Sequence, residues 1–105
     1  MPPFNPLIKS INRTLSEKRK EDLYSDQFNA AYPGYLEYLT RTYTELTTSD
    51  LKLCTFLRMN LNTKEIAEIM GLSVRSIESR RYRLRKKLNL SKEEDLVSNL
   101  ISLKY

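Results

Sequence analysis

Several residue types on which active sites commonly depend are absent or scarce in this 105-residue chain. There is no histidine and a single cysteine, Cys54, which excludes His-ligated metal sites, His-based catalytic triads and an intramolecular disulfide. The chain has only two glycines, too few for a glycine-rich phosphate loop. With no histidine to activate it, Cys54 is interpreted as a buried structural thiol. We therefore expect no enzymatic activity, no small-molecule substrate, no cofactor and no metal.

Long apolar segments are also missing. No apolar run approaches the roughly 20 residues that a bilayer-spanning helix needs, and the first residues, MPPFNP, do not resemble a secretory signal. A cytoplasmic location is the expectation. The chain has four prolines and two glycines, so it has few turns, while its 40% hydrophobic residues can build a core. One all-α domain, with a short appendage at most, is predicted.

The positive charge is confined to one segment. The chain has a formal net charge of +5, and the segment 75–87 alone carries +6 because Glu78 is its only acid. Its seven cations are Arg75, Arg80, Arg81, Arg83, Arg85, Lys86 and Lys87. A mixed-charge run is usually a solvated helix face, but an unbalanced run like this one indicates an anionic partner and is typical of nucleic-acid-binding proteins.

The N-terminal part divides into two segments by composition. Residues 1–27 are predicted to be an arm or linker helix, with four apolar residues at helical spacing: Leu7, Ile8, Ile11 and Leu15. A docking or dimer helix and a partly ordered linker from a longer parent are both open for this segment. Residues 28–45 are predicted to form an aromatic helix that packs on the domain, with Pro33 in its first turn.

Capping residues divide 46–105 into four helices. A Ser, Thr or Asn followed three residues later by an acid is typical of a helix N-terminus, and this spacing occurs at Thr47 and Asp50, Asn62 and Glu65, and Ser91 and Glu94. The predicted helices end near Met59, Met70, Leu88 and Leu103, with Gly71 ending the second and Ser73 capping the third.

The second and third helices have the spacing of a helix-turn-helix. Ala67 is small enough for the helices to cross closely, Gly71 suits the turn, and Ile77 points back into the core. On a helical wheel the third helix has an apolar back, formed by Ile77, Leu84 and Leu88. Its opposite face carries Arg75, Ser79, Tyr82, Arg83 and Lys86, which are predicted to face DNA bases in the major groove. Border residues Ser76, Arg80 and Lys87, and the cap Ser73, are predicted to contact phosphates.

These motifs also resemble a known family. In order, Leu46-Thr47, Lys64-Glu65-Ile66-Ala67, Leu72-Ser73 with Ser76-Ile77, and Lys87-Leu88-Asn89-Leu90 resemble the LuxR-type C-terminal domain of bacterial transcription regulators. The resemblance covers residues 46–105. It implies a four-helix DNA-binding domain whose third helix enters the major groove of double-stranded DNA. It places Glu78, Ser79 and Tyr82 at base-facing positions and Lys64, Ser76 and Lys87 near the DNA backbone.

The resemblance also implies a homodimer on DNA and allows a contact with RNA polymerase. The fourth helix, here 92–103, is the family's common dimer contact, which would involve Val97, Leu100 and Ile101; packing of these residues into the core is the alternative. Glu78 stands where the family usually has lysine, and Arg80 where it usually has histidine. The Glu78 carboxylate could accept from a cytosine amino group or orient Arg75 or Arg85.

Three functions fit the sequence. The leading prediction is a sequence-specific transcription regulator that binds duplex DNA through the helix 73–88. The promoter-binding domain of sigma factors uses a similar basic helix, although no second, core-promoter-binding domain is expected within 105 residues. A helical interaction or dimerisation module, or an anionic-membrane binder, is the third alternative, but the apolar face behind 75–87 is too narrow for a membrane helix.

Overall fold

The computed structural model describes residues 21–105, and this part of the chain is helical throughout, with no strand. The first helix, α1, occupies residues 21–31 of the described part. It is followed by α2 (Tyr35–Thr42), α3 (Thr48–Arg58), α4 (Thr63–Met70), α5 (Val74–Lys87) and α6 (Leu96–Ser102). The all-α prediction, with helices preceding the helix-turn-helix, is confirmed. The predictions for residues 1–20, including the apolar residues from Leu7 to Leu15, lie outside the described residues.

Three helix starts follow the predicted capping residues. Thr47 and Asp50 form a reciprocal pair at the start of α3, with N···O distances of 2.8 and 3.1 Å. Asn62 and Glu65 form the same arrangement before α4, at 2.8 and 3.0 Å. The Ser73 hydroxyl accepts from the Ser76 backbone N–H at the start of α5. Each cap satisfies a backbone donor that lacks a partner within the helix.

The start of the last helix was predicted wrongly. Glu94 does accept a hydrogen bond from the Ser91 backbone N–H, at 3.3 Å, but its own N–H bonds to the Ser91 backbone carbonyl in a turn. The helix begins only at Leu96, where Asp95 accepts from the Ser98 N–H at 2.9 Å. This bond lowers the pKa of Asp95 below its ordinary value. The carboxylate of Asp95 is therefore the N-cap that the helix uses.

The aromatic segment 28–45 is not one helix. Residues 28–31 end α1, and α2 begins at Tyr35, with Pro33 and Gly34 in the turn between them. Gly34 has φ of 84°, a left-handed conformation that glycine adopts without the penalty of a Cβ. A helix cannot continue through that conformation, so the single helix predicted for this segment is divided.

The two N-terminal helices share one hydrophobic core with α3 to α6. Tyr35 is fully buried, and its hydroxyl donates to the Leu100 carbonyl at 2.5 Å. That carbonyl lies in the last turn of α6, where carbonyls have no partner within the helix. The Tyr35 ring also meets Phe28 and Tyr105 edge-on, at centroid distances of 5.4 and 5.2 Å. The prediction that the aromatic residues pack rather than bind a ligand agrees with this burial.

Cys54 lies in the same core. It is fully buried, and burial raises the pKa of its thiol to about 12. The thiol is therefore neutral at physiological pH and lacks the thiolate that a nucleophile requires. The predicted burial of Cys54 is confirmed.

Replacing Tyr35 with Phe tests the link between α2 and α6. Tyr35→Phe leaves the Leu100 carbonyl buried without its donor, so we expect a loss of about 1 kcal/mol in unfolding free energy. For a domain of this size, that corresponds to a Tm lower by roughly 4–8 °C in a thermal melt followed by circular dichroism. The control is Tyr82→Phe at an exposed position. An unchanged Tm for Tyr35→Phe would contradict the role assigned to its hydroxyl.

Candidate nucleic-acid interface

Helices α4 and α5 form the predicted helix-turn-helix. Ile66 and Ile77 are fully buried, and Ala67 retains only 4% exposure between the two helices. Gly71 follows α4 with φ of 66°, and the next N–H, from Leu72, bonds back to the Ala67 carbonyl at 2.9 Å. A side chain on Gly71 would meet nothing within 4 Å, so the requirement for glycine comes from its left-handed backbone.

Helix α5 has a buried back and an exposed front. Ile77 and Leu84 are fully buried, and Leu88 at the end of the helix is 3% exposed, which confirms the predicted apolar face. The residues predicted to face bases are all exposed, and together they are called the exposed face: Arg75, Glu78, Ser79, Tyr82, Arg83 and Lys86. Their contacts with DNA stay a prediction. Their shared orientation follows from the helical period of 3.6 residues.

The cations at the borders of α5 are half-buried and bonded within the chain. Arg80 donates to the Ser49 hydroxyl, and Lys87 donates to the Asp50 carboxylate at 2.6 Å. These two bonds join α5 to the first turn of α3. On the other border, Arg81 donates to the Thr63 hydroxyl at 3.0 Å and Arg85 to the Ser91 carbonyl at 2.7 Å. These four residues, the anchored cations, hold α5 at a set rotation about its axis.

The residues predicted to contact phosphates differ in exposure and in the bonds that they make within the chain. Lys87 is paired with Asp50 within the chain, and its predicted phosphate contact stays a prediction. Arg80 is also bonded, although a guanidinium has five N–H donors and can engage a second acceptor. Ser73 and Ser76 bond to each other at the start of α5. Lys64 lies in the first turn of α4 and is exposed; it is not one of the anchored cations.

Two open depressions flank the ridge that Arg75, Ser79 and Arg83 form along α5. One, of ≈ 390 Å³, is also lined by Ser73, Ser76 and Arg80. The other, of ≈ 490 Å³, is also lined by Glu78 and Tyr82. Beyond the shared ridge, the first depression adds two hydroxyls and a guanidinium, whereas the second adds a carboxylate and an aromatic ring.

The predicted dimer residues of α6 differ in exposure. Leu100 is fully buried in the core of its own chain, so its side chain is not available to a second copy. Ile101 is 47% exposed, and Val97 is partly buried against the core. The core-packing alternative therefore holds for Leu100, and of the three residues Ile101 has the most exposed side chain.

Sequence reasoning did not find the anchoring role of four cations or the partners that hold them. The sequence predicts that the basic segment 75–87 binds an anionic partner, and it gives none of these four cations the partner that it has within the chain. The hydroxyl and carboxylate partners lie 18 residues from Arg81, 31 from Arg80 and 37 from Lys87. No local spacing reveals such pairs. Only the capping role of Asp50 was visible in the sequence, because it depends on a neighbour three residues away.

The described residues contain no cluster of metal-ligating side chains. Within residues 21–105, no group of three or more cysteine, aspartate or glutamate side chains is placed to hold a metal ion. No helix of the described part is long and apolar enough to cross a membrane.

Comparison with known proteins identifies the same unit. A family model described as Sigma-70, region 4, matches residues 59–88, which contain α4, the Gly71 turn and all of α5. No curated protein and no solved structure gives a significant match to the chain. The chain therefore contains a helix-turn-helix DNA-binding domain. The match does not distinguish sigma factors from other regulators that carry this motif.

Acid should weaken the anchor between Asp50 and Lys87. Burial of the Asp50 carboxyl opposes its ionisation, but hydrogen bonds from Lys87 and from the backbone and side chain of Thr47 outweigh burial and lower its pKa below the ordinary 3.8. The stabilisation from ionised Asp50 is therefore present above pH 3.8 and is lost as the pH falls through the lowered value.

We expect Asp50→Asn to be about 1–2 kcal/mol less stable than the parent at pH 7. The difference should close toward pH 2 in urea unfolding experiments. Glu37→Gln is the matched control, because Glu37 pairs with Arg41 on an exposed surface. A gap for Asp50→Asn that is the same at both pH values would show that the pair does not anchor α5.

Proposed function

We propose that the protein is a sequence-specific transcription regulator that inserts α5 into the major groove of double-stranded DNA. The observation that carries this proposal is the exposed face, which presents six polar or aromatic side chains from one rigid helix. Arginine and lysine bind guanine edges and phosphates, and a helix of this diameter fits the major groove. The anchored cations support the proposal because they hold the rotation of α5, and with it the direction of the exposed face.

The LuxR-type resemblance supports a bacterial regulator that acts in the cytoplasm as a homodimer on DNA. A sigma-like promoter-binding domain is the second candidate, favoured by the match to Sigma-70, region 4. Sigma-70 region 4 domains bind DNA and RNA polymerase, so RNA polymerase is a candidate partner in both cases. We propose no enzymatic activity, because the exposed face of α5 has no convergent general base or nucleophile.

Binding to a random-sequence pool tests the function directly. The full chain is titrated into labelled duplexes at several salt concentrations with fluorescence anisotropy as the readout, and the retained DNA is sequenced. Enrichment of two half-sites spaced by a helical turn supports a dimeric regulator. Enrichment of a single asymmetric element, tightened by RNA polymerase, supports the sigma-like candidate. Binding without enrichment contradicts sequence specificity, and no binding at low salt contradicts both candidates.

Loss of exposed cations should weaken binding to all duplexes. We expect the double variant Arg83→Ala/Lys86→Ala to have a lower affinity for duplex DNA. The slope of the logarithm of its binding constant against the logarithm of the salt concentration should fall by about one unit per lost phosphate contact. The control is the double variant Lys92→Ala/Lys104→Ala, which also removes two positive charges, from exposed positions outside α5. Equal slopes for the two double variants would exclude α5 from the interface.

Dimerisation through α6 should depend on Ile101 rather than Leu100. Ile101→Asp introduces a charge at an exposed apolar position, so we expect a monomer in sedimentation experiments on DNA-bound protein, with an unchanged Tm. A complex of unchanged mass would exclude Ile101 from the dimer contact. Leu100→Asp is uninformative here, because it places a charge in the core and unfolds the chain.

A further inference from the structure

We infer that the two sides of the exposed face have different functions, and that Glu78 and Tyr82 select a cytosine close to a thymine in the DNA site. This inference rests on the proposed binding of α5 to duplex DNA and specifies which bases are read. It starts from the two depressions beside the ridge of Arg75, Ser79 and Arg83. Beyond this shared ridge, one is lined by two hydroxyls and a guanidinium, and the other by Glu78 and Tyr82.

The depression with Ser76 and Arg80 has the chemistry of a phosphate-facing side. Its polar groups beyond the ridge are hydroxyls and a guanidinium, and these groups suit the oxygens of the DNA backbone. Such contacts position a protein on DNA but carry no sequence information. Base selection therefore has to come from the ridge or from the other side.

Glu78 is the one acid on the exposed face. It is exposed, and none of the ion pairs or hydrogen bonds within residues 21–105 involves its carboxylate. The two arginines on its own border of α5 are bonded elsewhere: Arg81 to Thr63 and Arg85 to Ser91. Neither arginine donates to Glu78 within residues 21–105. Among residues 21–105 the carboxylate therefore has no donor, and it is exposed to accept a hydrogen bond from DNA.

An ionised carboxylate in the major groove discriminates strongly among bases. It is repelled by the phosphates and by the acceptor atoms of guanine and of thymine, so only an amino group offsets its loss of water. Adenine presents its amino group beside the N7 acceptor, whereas cytosine presents an amino group alone. Cytosine is therefore the base that fits Glu78. Much of the selectivity comes from rejection of the other bases.

Tyr82 lies one helical turn further along the same side. Four residues of α-helix advance about 6 Å, which is close to two base steps at about 3.4 Å each. The Tyr82 ring is 61% exposed, and the Lys86 ammonium lies 4.6 Å from its centroid. This cation–π contact steadies the exposed ring. The apolar edge of the ring suits the methyl group that thymine displays in the major groove.

Selection from a random duplex pool by three versions of the full chain tests the inference. The parent should enrich a cytosine, with a thymine within one or two base pairs of it. Glu78→Gln should shift that position toward adenine, because a glutamine side chain pairs with adenine N6 and N7. We also expect about tenfold weaker binding of Glu78→Gln to the parent's site, with an unchanged salt slope. Glu68→Gln, an exposed acid on α4, is the matched control.

The outcomes separate the inference from the proposed function. If the parent enriches no motif, the proposed sequence-specific function fails. If the parent enriches a motif that Glu78→Gln reproduces without change, the function stands and the inference is overturned. A second variant, Tyr82→Ala, should lose the thymine preference while keeping the cytosine. Retention of both preferences in Tyr82→Ala overturns the part assigned to the ring.

Discussion

The burial of Ile77 and Leu84 is the constraint from which the interface follows. Once this apolar back is placed in the core, the helical period directs Arg75, Ser79 and Tyr82 outward. Seven cations on one helix repel one another; four of them bond to partners outside α5, of which the Asp50 carboxylate is the one that also offsets charge. The same bonds leave the remaining charge concentrated on a single face.

The anchors also make α3 part of the DNA-binding unit. Its first turn supplies Ser49 and Asp50, which hold Arg80 and Lys87. Asp50 closes the capping pair of α3 with one carboxylate and binds Lys87 with the same group. The start of α3 and the end of α5 are therefore coupled through one side chain. Disturbance of this carboxylate affects both the start of α3 and the position of α5.

Much of the fold could be predicted because it depends on short-range chemistry. The caps at Thr47, Asn62 and Ser73, the turn at Gly71 and the apolar back of α5 are all set by residues within one or two helical turns. Predictions failed where several local solutions compete, as at Asp95, which caps α6 in place of Ser91. Pairs that depend on distant groups, such as Lys87 with Asp50, are not predicted from the sequence at all, and the sequence leaves open whether Leu100 is buried. The spacing of residues along the chain does not indicate which distant residues will pair.

The bond between Tyr35 and the Leu100 carbonyl bears on how this domain can be transferred between proteins. A boundary drawn at residue 46 separates the helix-turn-helix motif from helices that supply three fully or almost fully buried side chains, Phe28, Tyr35 and Leu39. A segment cut there would expose a large apolar surface on α3 and α6 and leave the end of α6 without its hydroxyl cap. The unit that folds around this core is consequently longer than the helix-turn-helix motif, and a transfer of the motif to another protein needs the aromatic helices as well.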